Sequence, residues 1–281
     1  MVREKPTPSQ QEVKSVVRTF YNFLNDHLNK SGFGEYSTFL NWGYVADSNP
    51  EFSQIQLPKR CLNKNCLKLI LELVGDCDLT DHDILEVGCG RGGNIQALDR
   101  FFAVKSFTGL DITPASIAFC QQNLENQHCH FLEGDAETLP FADRSFDVVI
   151  NVESSNAYPH IFQFYAQVVR VLKPGGYFLY TDILKIEQFK DCIKYLQDQG
   201  LALEVERDIT SNVLLSRQEM AKTQMKSFGM LALDSSLDTT IAAEKKVFDF
   251  FLAPKDSQFF QQIQEGRFSY KIFRFRKISE A

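Results

Sequence analysis

Strand-like and helical runs alternate along the middle of the chain, and this alternation limits the fold more than any other feature of the sequence. The strand-like runs lie at 83–88, 105–111, 129–133, 146–151, 176–182, 201–207 and 268–276. The main helical runs among them lie at about 93–101, 114–126, 160–171 and 186–199. Such alternation indicates parallel strands that are joined by crossover helices. We therefore expect an α/β fold built on a doubly wound, mostly parallel seven-stranded sheet.

Helical patterns precede and follow this alternating region. A helix is expected to begin near Ser9, since Ser9 and Glu12 have capping-box spacing, and another is expected near 60–74. A mostly helical insertion of about 211–264 comes before the final strand. The predicted units are N-terminal helices with an aromatic loop over 1–78, an α/β core over 79–210, a helical cap over 211–264 and a final strand over 265–281.

The composition is that of a globular protein and argues against several functional classes. Of the 281 residues, 44% are hydrophobic and 23% are charged, which is enough apolar material for a sizeable core. The net charge of −6 and the lack of a run of Lys and Arg argue against a nucleic-acid partner. No apolar run reaches the roughly 18 residues that a membrane helix needs, so stable membrane insertion is not expected. Seven scattered cysteines without a C-x-x-C pair favour a reducing, cytoplasmic location, and homo-oligomerisation stays open.

The stretch "DILEVGCGRGGN", 83–94, leads from a strand through a glycine-rich turn into a helix. Gly88, Gly90 and Gly93 satisfy the pattern G-x-G-x-x-G, in which backbone amides hold a nucleotide. On its own the pattern is not specific. It leaves an NAD(P)-dependent reductase open as one interpretation.

Three acidic residues at the ends of successive strands argue against a dinucleotide. Glu86 lies two residues before Gly88, where its charge repels a pyrophosphate and attracts an ammonium or sulfonium group. Asp111 follows the glycine turn by about 20 residues, the position from which a carboxylate accepts ribose hydroxyls. Asp135 ends the third strand beside Ala136, where an acid and an amide can bind the edge of adenine. The acids favour a neutral or cationic nucleoside, although an acid at a strand end is also common as a turn former.

Four motifs follow one another through the core: "ILEVGCGRGGN", "GLDIT", "GDAETLPF" and "VLKPGGYF". They resemble the successive motifs of the class I, Rossmann-like methyltransferases that depend on S-adenosyl-L-methionine, and the resemblance covers about 80–185. It implies that the Gly88–Gly92 loop holds the methionine portion of this cofactor, that Asp111 holds its ribose and that Asp135 with Ala136 binds its adenine. It also implies that 268–276 is an antiparallel last strand.

The candidate cofactor-binding residues combine these motifs with their neighbours and with an aromatic loop that the resemblance places over the cofactor. They are Glu86, Gly88, Cys89, Gly90, Gly92, Asn94, Asp111, Ile112, Asp135, Ala136, Asn151, Tyr36 and Trp42. Tyr36 and Trp42 are the candidates for closing the site, and we hypothesise that their loop and the cap form a lid.

The methyl acceptor is expected beyond the carboxyl ends of the strands. The segments "VVINVESSNAYPH", "RDITSNVL" and "FLNWGY" resemble the branch of the family that modifies natural products and long-chain phthiotriolone-type lipids. The resemblance implies a small, apolar, polyketide- or lipid-like acceptor, with oxygen as the favoured position of methylation. A protein acceptor is less attractive because the cap is apolar.

The sequence departs from that branch at Asn156, where related sequences often carry a His that pairs with an acid matching Asp182 and acts with it as the base. Asn does not act as a general base at neutral pH. Either another group is the base, with His160 and Asp182 as the first candidates and Glu153 as a further one, or the acceptor needs less help with its proton. Asn156 itself stays a candidate for a catalytic role. The alternatives are that His160 only begins a helix, that Asp182 only forms a turn and that Glu153 only orients its loop. The same departure leaves open a module that binds S-adenosyl-L-methionine without turnover.

The cap is rich in methionine and phenylalanine, which either pack it against the sheet or roof an acceptor pocket. These residues are Met220, Met225, Met230, Phe228, Phe248, Phe250, Phe251, Phe259 and Phe260.

The run "QHCH", 127–130, is the one place that suggests a metal. On a strand, Cys129 points away from its two His neighbours, and no second cluster completes a coordination sphere. No metal site is expected.

Overall fold

A mixed seven-stranded sheet organises the part of the chain that the computed structural model describes, residues 10–30, 34–46, 55–229 and 257–278. Its strands are β1 (Asp83–Val87), β2 (Ser106–Asp111), β3 (Cys129–Glu133), β4 (Phe146–Val152), β5 (Leu172–Lys185), β6 (Leu201–Asp208) and β7 (Phe268–Lys277). They lie in the order β3-β2-β1-β4-β5-β7-β6. β1 to β5 pair in parallel, whereas β7 is antiparallel to both β5 and β6. The predicted doubly wound sheet with an antiparallel last strand is confirmed.

Eight α-helices accompany this sheet within the described residues. They are α1 (Gln10–Lys30), α2 (Lys64–Val74), α3 (Gly93–Phe101), α4 (Pro114–Asn123), α5 (Ile161–Val171), α6 (Ile186–Asp198), α7 (Thr210–Gly229) and α8 (Gln258–Gln264). α2, α3 and α4 pack on one face of the sheet, and α5 and α6 pack on the other. None of the described helices is both long and apolar enough to cross a bilayer.

The central strands are apolar on both sides because both faces of the sheet are covered. Ile84 of β1 and Val148 of β4 join the core beneath α2 and α3, while the next residues, Leu85 and Val149, join the core beneath α5 and α6. Successive side chains of a strand point to opposite faces, so a continuous apolar run suits a strand in this position.

Two elements begin about four residues away from the sequence-based expectation, and the other differences are smaller. α2 begins at Lys64 rather than near 60, because Asn63 adopts a left-handed conformation with φ of 53°. β5 begins at Leu172 rather than 176, and its register with β4 shifts between the pair Phe146–Leu172 and the pair Val148–Tyr177. Gly175, which lies between these two pairs, has φ of 78°, a conformation that glycine adopts readily.

α1 lies against α4 and the short 3-10 turn Gly34–Tyr36, next to the edge where β2 and β3 end. It contributes its own small core of Phe20, Leu24 and Leu28. This edge matters for function, because ligands of open α/β sheets bind beyond the carboxyl ends of the strands.

The predicted cap consists of α7 and α8 among the described residues. The predicted cap residues Met230, Phe248, Phe250 and Phe251 lie outside the described residues, as do the side chains of Met225 and Phe228. The proposed division of the chain at 78, 210 and 264 stays a prediction.

Candidate active site

A cleft lies over the carboxyl ends of β1 to β4, and its empty space is about 1250 Å³ when the solvent at its open side is included. The segments that follow these strands form its floor, and α1 with residues 38–42 forms its outer wall. The sequence-predicted residues on its surface are Trp42, Gly88, Cys89, Gly90, Asn94, Asp111, Ile112, Asp135, Ala136, Glu153 and Asn156.

The glycine-rich turn lies in the floor because its backbone is held from below. The amides of Gly88 and Cys89 donate to the carbonyl oxygen of Leu110 at 2.7 and 3.1 Å. Gly88 has φ of 74°, and a side chain there would collide with Ser154. The turn therefore presents bare backbone, which a ligand can approach closely.

Asp111 connects this turn to the start of α4. Its Oδ2 accepts a hydrogen bond from the Gly90 amide at 2.9 Å, and its Oδ1 accepts one from the Thr113 amide at 2.8 Å. Burial raises the pKa of Asp111 above its usual range, although these hydrogen bonds oppose the rise. Each carboxylate oxygen has a second lone pair, so Asp111 can accept further hydrogen bonds from hydroxyl groups in the cleft.

Glu86 lies behind the glycine-rich turn and not on the described surface of the cleft. The side chain is 1% exposed; its Oε1 accepts from Nδ2 of Asn94 at 2.7 Å, and its Oε2 is buried without a hydrogen-bond partner. Burial raises the pKa of Glu86 to about 8. An unsatisfied buried oxygen costs free energy, so this place favours a ligand that brings a donor or a positive charge.

Ion pairs with the floor hold α1 at one end of the cleft. Nζ of Lys14 lies 2.6 Å from Oδ2 of Asp135 and 2.5 Å from Oε2 of Glu137. Burial disfavours the charge on Lys14, but the two carboxylates outweigh burial and raise its pKa. One helical turn further on, Arg18 pairs with Glu133. The acid predicted to bind adenine is therefore already shared with a lysine of the outer wall.

Arg91 is fully buried and fastens the outer wall to the glycine-rich turn. Its guanidinium donates to the side-chain oxygens of Asn25 and Asn29 in α1, at 2.6 and 2.9 Å. It also donates to the carbonyl oxygens of Ser37 and Gly34, at 2.7 and 2.9 Å. Burial lowers the pKa of Arg91 to about 10, which leaves it charged at neutral pH. Because these four acceptors are uncharged, the residue works as a clamp and not as part of an ion pair.

Glu153 is an acid on the surface of the cleft. Its Oε1 accepts hydrogen bonds from the amide of Trp42, at 2.8 Å, and from the hydroxyl of Tyr270 in β7. The residue has φ of 51°, a left-handed conformation that costs energy in a residue with a side chain. Burial raises the pKa of Glu153 to about 8, although these hydrogen bonds oppose the rise. A carboxyl group with such a pKa can exchange a proton with a ligand near neutral pH.

Asp182 is fully buried and is held by four hydrogen bonds. Its Oδ1 accepts from Nδ2 of Asn156 and from the Ile183 amide, both at 2.7 Å. Its Oδ2 accepts from the Ser155 hydroxyl at 2.6 Å and from the Asn156 amide at 3.0 Å. Burial raises the pKa of Asp182 and the four bonds oppose the rise. Asn156 lines the cleft but Asp182 does not, so the structure brings Asp182 to Asn156 rather than to a ligand.

Four further predicted residues are not among the described residues that line the cleft. His160 precedes α5, and its backbone amide donates to Oε1 of Glu137 at 2.6 Å. The side chain of Tyr36 is 60% exposed. Gly92 precedes α3 and packs towards α4, and Asn151 is fully buried behind the turn. The structure thus gives these residues supporting positions or surface positions.

Sequence reasoning missed several residues that line or support the cleft: Lys14, Tyr21, Ser154, Tyr158 and Tyr270. Lys14 and Tyr21 belong to α1, whose amphipathic pattern predicts a helix but not its place over the sheet. Tyr270 lies 117 residues from its partner Glu153. The predicted antiparallel last strand was the one signal that could have brought Tyr270 near the site.

α7 and α8 support the cleft from behind. Within the described part of the chain, the lining includes no residue of either helix. Ser216 of α7 donates to the carbonyl oxygen of Trp42 at 2.7 Å, and the ring of Phe259 in α8 meets the Trp42 ring edge-on at 6.0 Å. The described cap helices therefore fix Trp42 in place, and the lid hypothesis stays a prediction.

The run "QHCH" contributes two side chains to a group of three possible metal ligands, which lies at the start of β3, away from the cleft. Atoms of Asp99, His128 and Cys129 lie within 4.8 Å of one another. Asp99 is the partner that sequence reasoning missed, and His128 lies before β3 rather than in it. No fourth His, Cys, Asp or Glu of the described residues joins them, and burial raises the pKa of the Cys129 thiol to about 11. The expectation of no metal site stays a prediction.

Known proteins resemble this chain in sequence and in fold. Residues 85–180 match the family model described as "Methyltransferase domain". The chain is 33% identical to phthiotriol/phenolphthiotriol dimycocerosates methyltransferase of Mycobacterium tuberculosis, an alignment that covers 96% of this chain and 94% of that protein. It is 32% identical to fatty-acid O-methyltransferase of Mycolicibacterium smegmatis, with 86% and 84% covered.

A solved structure that resembles the chain shows how far the fold extends. The cyclase SpnF superimposes with a TM-score of 0.70 at 18% identity, over 98% of both chains. A likeness at this identity concerns the fold alone, since one fold supports many activities. The family model and the two mycobacterial relatives confirm the family that the sequence motifs suggested. The chain belongs to the class I, Rossmann-like family of S-adenosylmethionine-dependent methyltransferases.

Proposed function

We propose that this methyltransferase binds S-adenosyl-L-methionine on the floor of the cleft and methylates a hydroxyl group of a lipid-like acceptor. The observation that carries the proposal is the combination, in one cleft, of bare glycine backbone, three acidic side chains and an apolar outer wall. The acids are Asp111, Asp135 and Glu153.

The residues of the floor fit a positively charged nucleoside. The unpartnered Oε2 of Glu86 lies behind the turn that would hold the methionine portion, and an ammonium group there would satisfy it. Asp111 has acceptor sites left for the ribose hydroxyls, and Ala136 with the Asp135 carboxylate would hold adenine. When bound, S-adenosyl-L-methionine supplies an electrophilic methyl group on a positively charged sulfur. Residues of the chain then have to exclude water, orient the acceptor and take up its proton.

The outer wall of the cleft suits a hydrocarbon chain. Its apolar members are Val17, Phe20, Phe39 and Leu40. Contact with such side chains removes apolar surface of a ligand from water, which contributes about 25 cal/mol per Å². The names of the two relatives specify a phthiotriol lipid and a fatty acid, and an acceptor of this general class fits the wall.

The charge of the cleft favours a hydroxyl over a carboxylate as the acceptor group. Asp111 and Glu153 are acidic, and Lys14 is already paired with Asp135 and Glu137. A carboxylate acceptor would be repelled by the acids, whereas a hydroxyl acceptor needs a group that removes its proton. Glu153 is suited to that task, because burial raises its pKa to about 8 and makes it a stronger base than an ordinary carboxylate.

The proposal is tested with an alcohol and a fatty acid of equal chain length, each incubated with labelled S-adenosyl-L-methionine. We expect a labelled methyl ether from the alcohol and much less ester from the acid. A preference for the acid would contradict the role of the acidic cleft. Calorimetric titration with S-adenosylhomocysteine is run in parallel, since tight binding without product from any lipid would favour a non-catalytic binding module. Binding of NADPH in place of S-adenosylhomocysteine would favour a reductase.

A further inference from the structure

A basic and apolar surface lies at the rim of the cleft, and the proposed reaction makes no direct use of it. We call it the rim patch and define it as Tyr36, Lys59, Arg60, Leu62 and Lys64. Leu62 is 65% exposed, the highest value among the large apolar side chains that the structure describes, and Tyr36 is 60% exposed. Lys59 and Arg60 are exposed as well.

The rim patch carries positive charge, whereas the whole chain has a negative net charge. Residues 55–71 contain Lys59, Arg60, Lys64 and Lys68 and no acidic residue, whereas the chain has a net charge of −6. Glu219 of α7 reaches this segment through Asn65, at 3.1 Å. Of the four cations, Lys59 and Arg60 are the exposed ones, and both precede α2.

The two exposed apolar side chains belong to separate loops that the structure joins. Nδ2 of Asn63 donates to the carbonyl oxygen of Tyr36 at 3.0 Å. Asn63 immediately precedes α2 and has a left-handed φ of 53°, yet its side chain makes no capping bond to that helix. Asparagine tolerates this conformation better than other residues with side chains. The bond ties Asn63, the chain neighbour of Leu62, to the backbone of Tyr36, so the two exposed side chains lie on segments that are joined.

The rim patch is also fastened to the cleft wall. The Tyr44 amide donates to the carbonyl oxygen of Asn65 at 2.8 Å, and Sγ of Cys66 donates to the carbonyl oxygen of Asn41 at 3.5 Å. Asn41 lines the cleft, and Tyr36 is two residues from the lining residue Thr38. An acceptor that leaves a surface bound to the rim patch therefore has a short path into the cleft.

We propose that the rim patch docks the protein on an anionic membrane surface, from which the lipid acceptor is taken. The inference rests on the proposed function, which supplies the lipid acceptor. Docking on the membrane is a binding step and can be measured without catalysis. Cationic side chains beside an exposed Leu and Tyr match the interface of an anionic bilayer, where the cations meet lipid phosphates and the apolar groups enter the headgroup layer. Such peripheral docking needs no spanning helix.

The test is co-sedimentation of the full chain with phosphatidylcholine vesicles, with and without phosphatidylglycerol. We expect binding to the anionic vesicles alone, and at least about tenfold weaker binding for the double variant Lys59→Glu, Arg60→Glu. The matched control is Lys190→Glu, Lys194→Glu, which makes the same charge change on exposed positions of α6, across the sheet. Leu62→Ser should also weaken binding, whereas Phe162→Ser, an exposed apolar position of α5, should not.

Two outcomes would overturn the inference. One is equal sedimentation of the wild type with both kinds of vesicle, and the other is equal loss of binding in the α6 control. Tighter binding to a single-stranded oligonucleotide than to anionic vesicles would also count against a membrane. Titration of the rim variant with S-adenosylhomocysteine separates this proposal from the proposed function: the rim variant should keep wild-type cofactor affinity even where vesicle binding is lost.

Discussion

The side-chain nitrogen of Asn156 donates a 2.7 Å hydrogen bond to Oδ1 of Asp182, and this bond bears on which acid can act on a ligand. With three more donors, from Ser155 and the amides of Asn156 and Ile183, the Asp182 carboxylate is saturated. It stabilises the turn after β4. Glu153 is the catalytic candidate with a raised pKa that lines the cleft directly.

Asp182→Asn should therefore act mainly on stability. In the wild type, four donors bond to the two carboxylate oxygens of Asp182. An Asn side chain replaces one of these oxygens with an NH2 group, which faces donors instead of accepting from them. We therefore expect the free energy of unfolding to fall by about 1–3 kcal/mol. Urea unfolding measures this loss. Asp143→Asn is the control, since Asp143 is 72% exposed and its pair with Arg170 contributes little. An unchanged stability together with a lost pH dependence would instead identify Asp182 as the base.

Glu153→Gln should remove the pH dependence of the reaction at saturating S-adenosyl-L-methionine, where the bound ammonium group keeps Glu86 ionised. In the wild type, kcat/KM should rise with pH through about 8, because the ionised form of Glu153 accepts the proton. The variant should be slower by about 100- to 10,000-fold and should lack this inflection. Tyr270→Phe keeps the acid but loses a hydrogen bond that favours its ionised form, so the inflection should move to higher pH. A pH profile of Glu153→Gln that matches the wild type would rule out this role.

Glu86→Gln should have opposite effects on stability and on cofactor binding. The pKa of Glu86 is raised from 4.5 to about 8 in the folded protein, so its contribution to stability is present below pH 4.5 and is lost as pH rises through 8. A Gln side chain does not ionise, and the variant without ligand should lose less stability than the wild type between about pH 5 and 9. Its affinity for S-adenosylhomocysteine should fall, because the ammonium group loses a charged partner.

Thermal unfolding across this pH range, with and without S-adenosylhomocysteine, measures both effects of Glu86→Gln. Glu153 titrates in the same range, so the pH slope of stability should shrink and not vanish. Equal slopes for wild type and variant would mean that Glu86 is ionised throughout.

Asp111→Ala should weaken cofactor binding sharply. Loss of charge-assisted hydrogen bonds to the ribose should reduce affinity by about 1.5–3 kcal/mol, or roughly 10- to 150-fold. Calorimetric titration with S-adenosylhomocysteine checks this, with Asp143→Ala as a surface control. Affinity equal to that of the wild type would exclude the ribose role.

The sheet could be predicted because its signals are local. Apolar runs and turn residues mark each strand, and the helix 93–101 was predicted with the bounds that α3 has in the structure. The glycine-rich turn and Asp111 were likewise placed at the cleft, since both follow strands whose ends meet at one edge.

The candidate site was less predictable where it depends on contacts between distant segments. The sequence favours His160 and Asp182 over Glu153 as the base, and only the fold shows that Glu153 lines the cleft and that His160 does not. Lys14 reaches Asp135 across 121 positions, and no local pattern reports such a pair. The exposure of Tyr36 could not be predicted for the same reason. The direction of a side chain in a loop depends on the distant residues that hold the loop in place.

The position of β7 between β5 and β6 has a consequence for biosynthesis. β7 follows every other described element along the chain, yet it supplies the Tyr270 hydroxyl that holds Glu153. A nascent chain that has emerged only as far as α8 lacks this contact and leaves β5 and β6 without the strand that joins them. Methyl transfer should therefore begin only after β7 has been translated and inserted between β5 and β6.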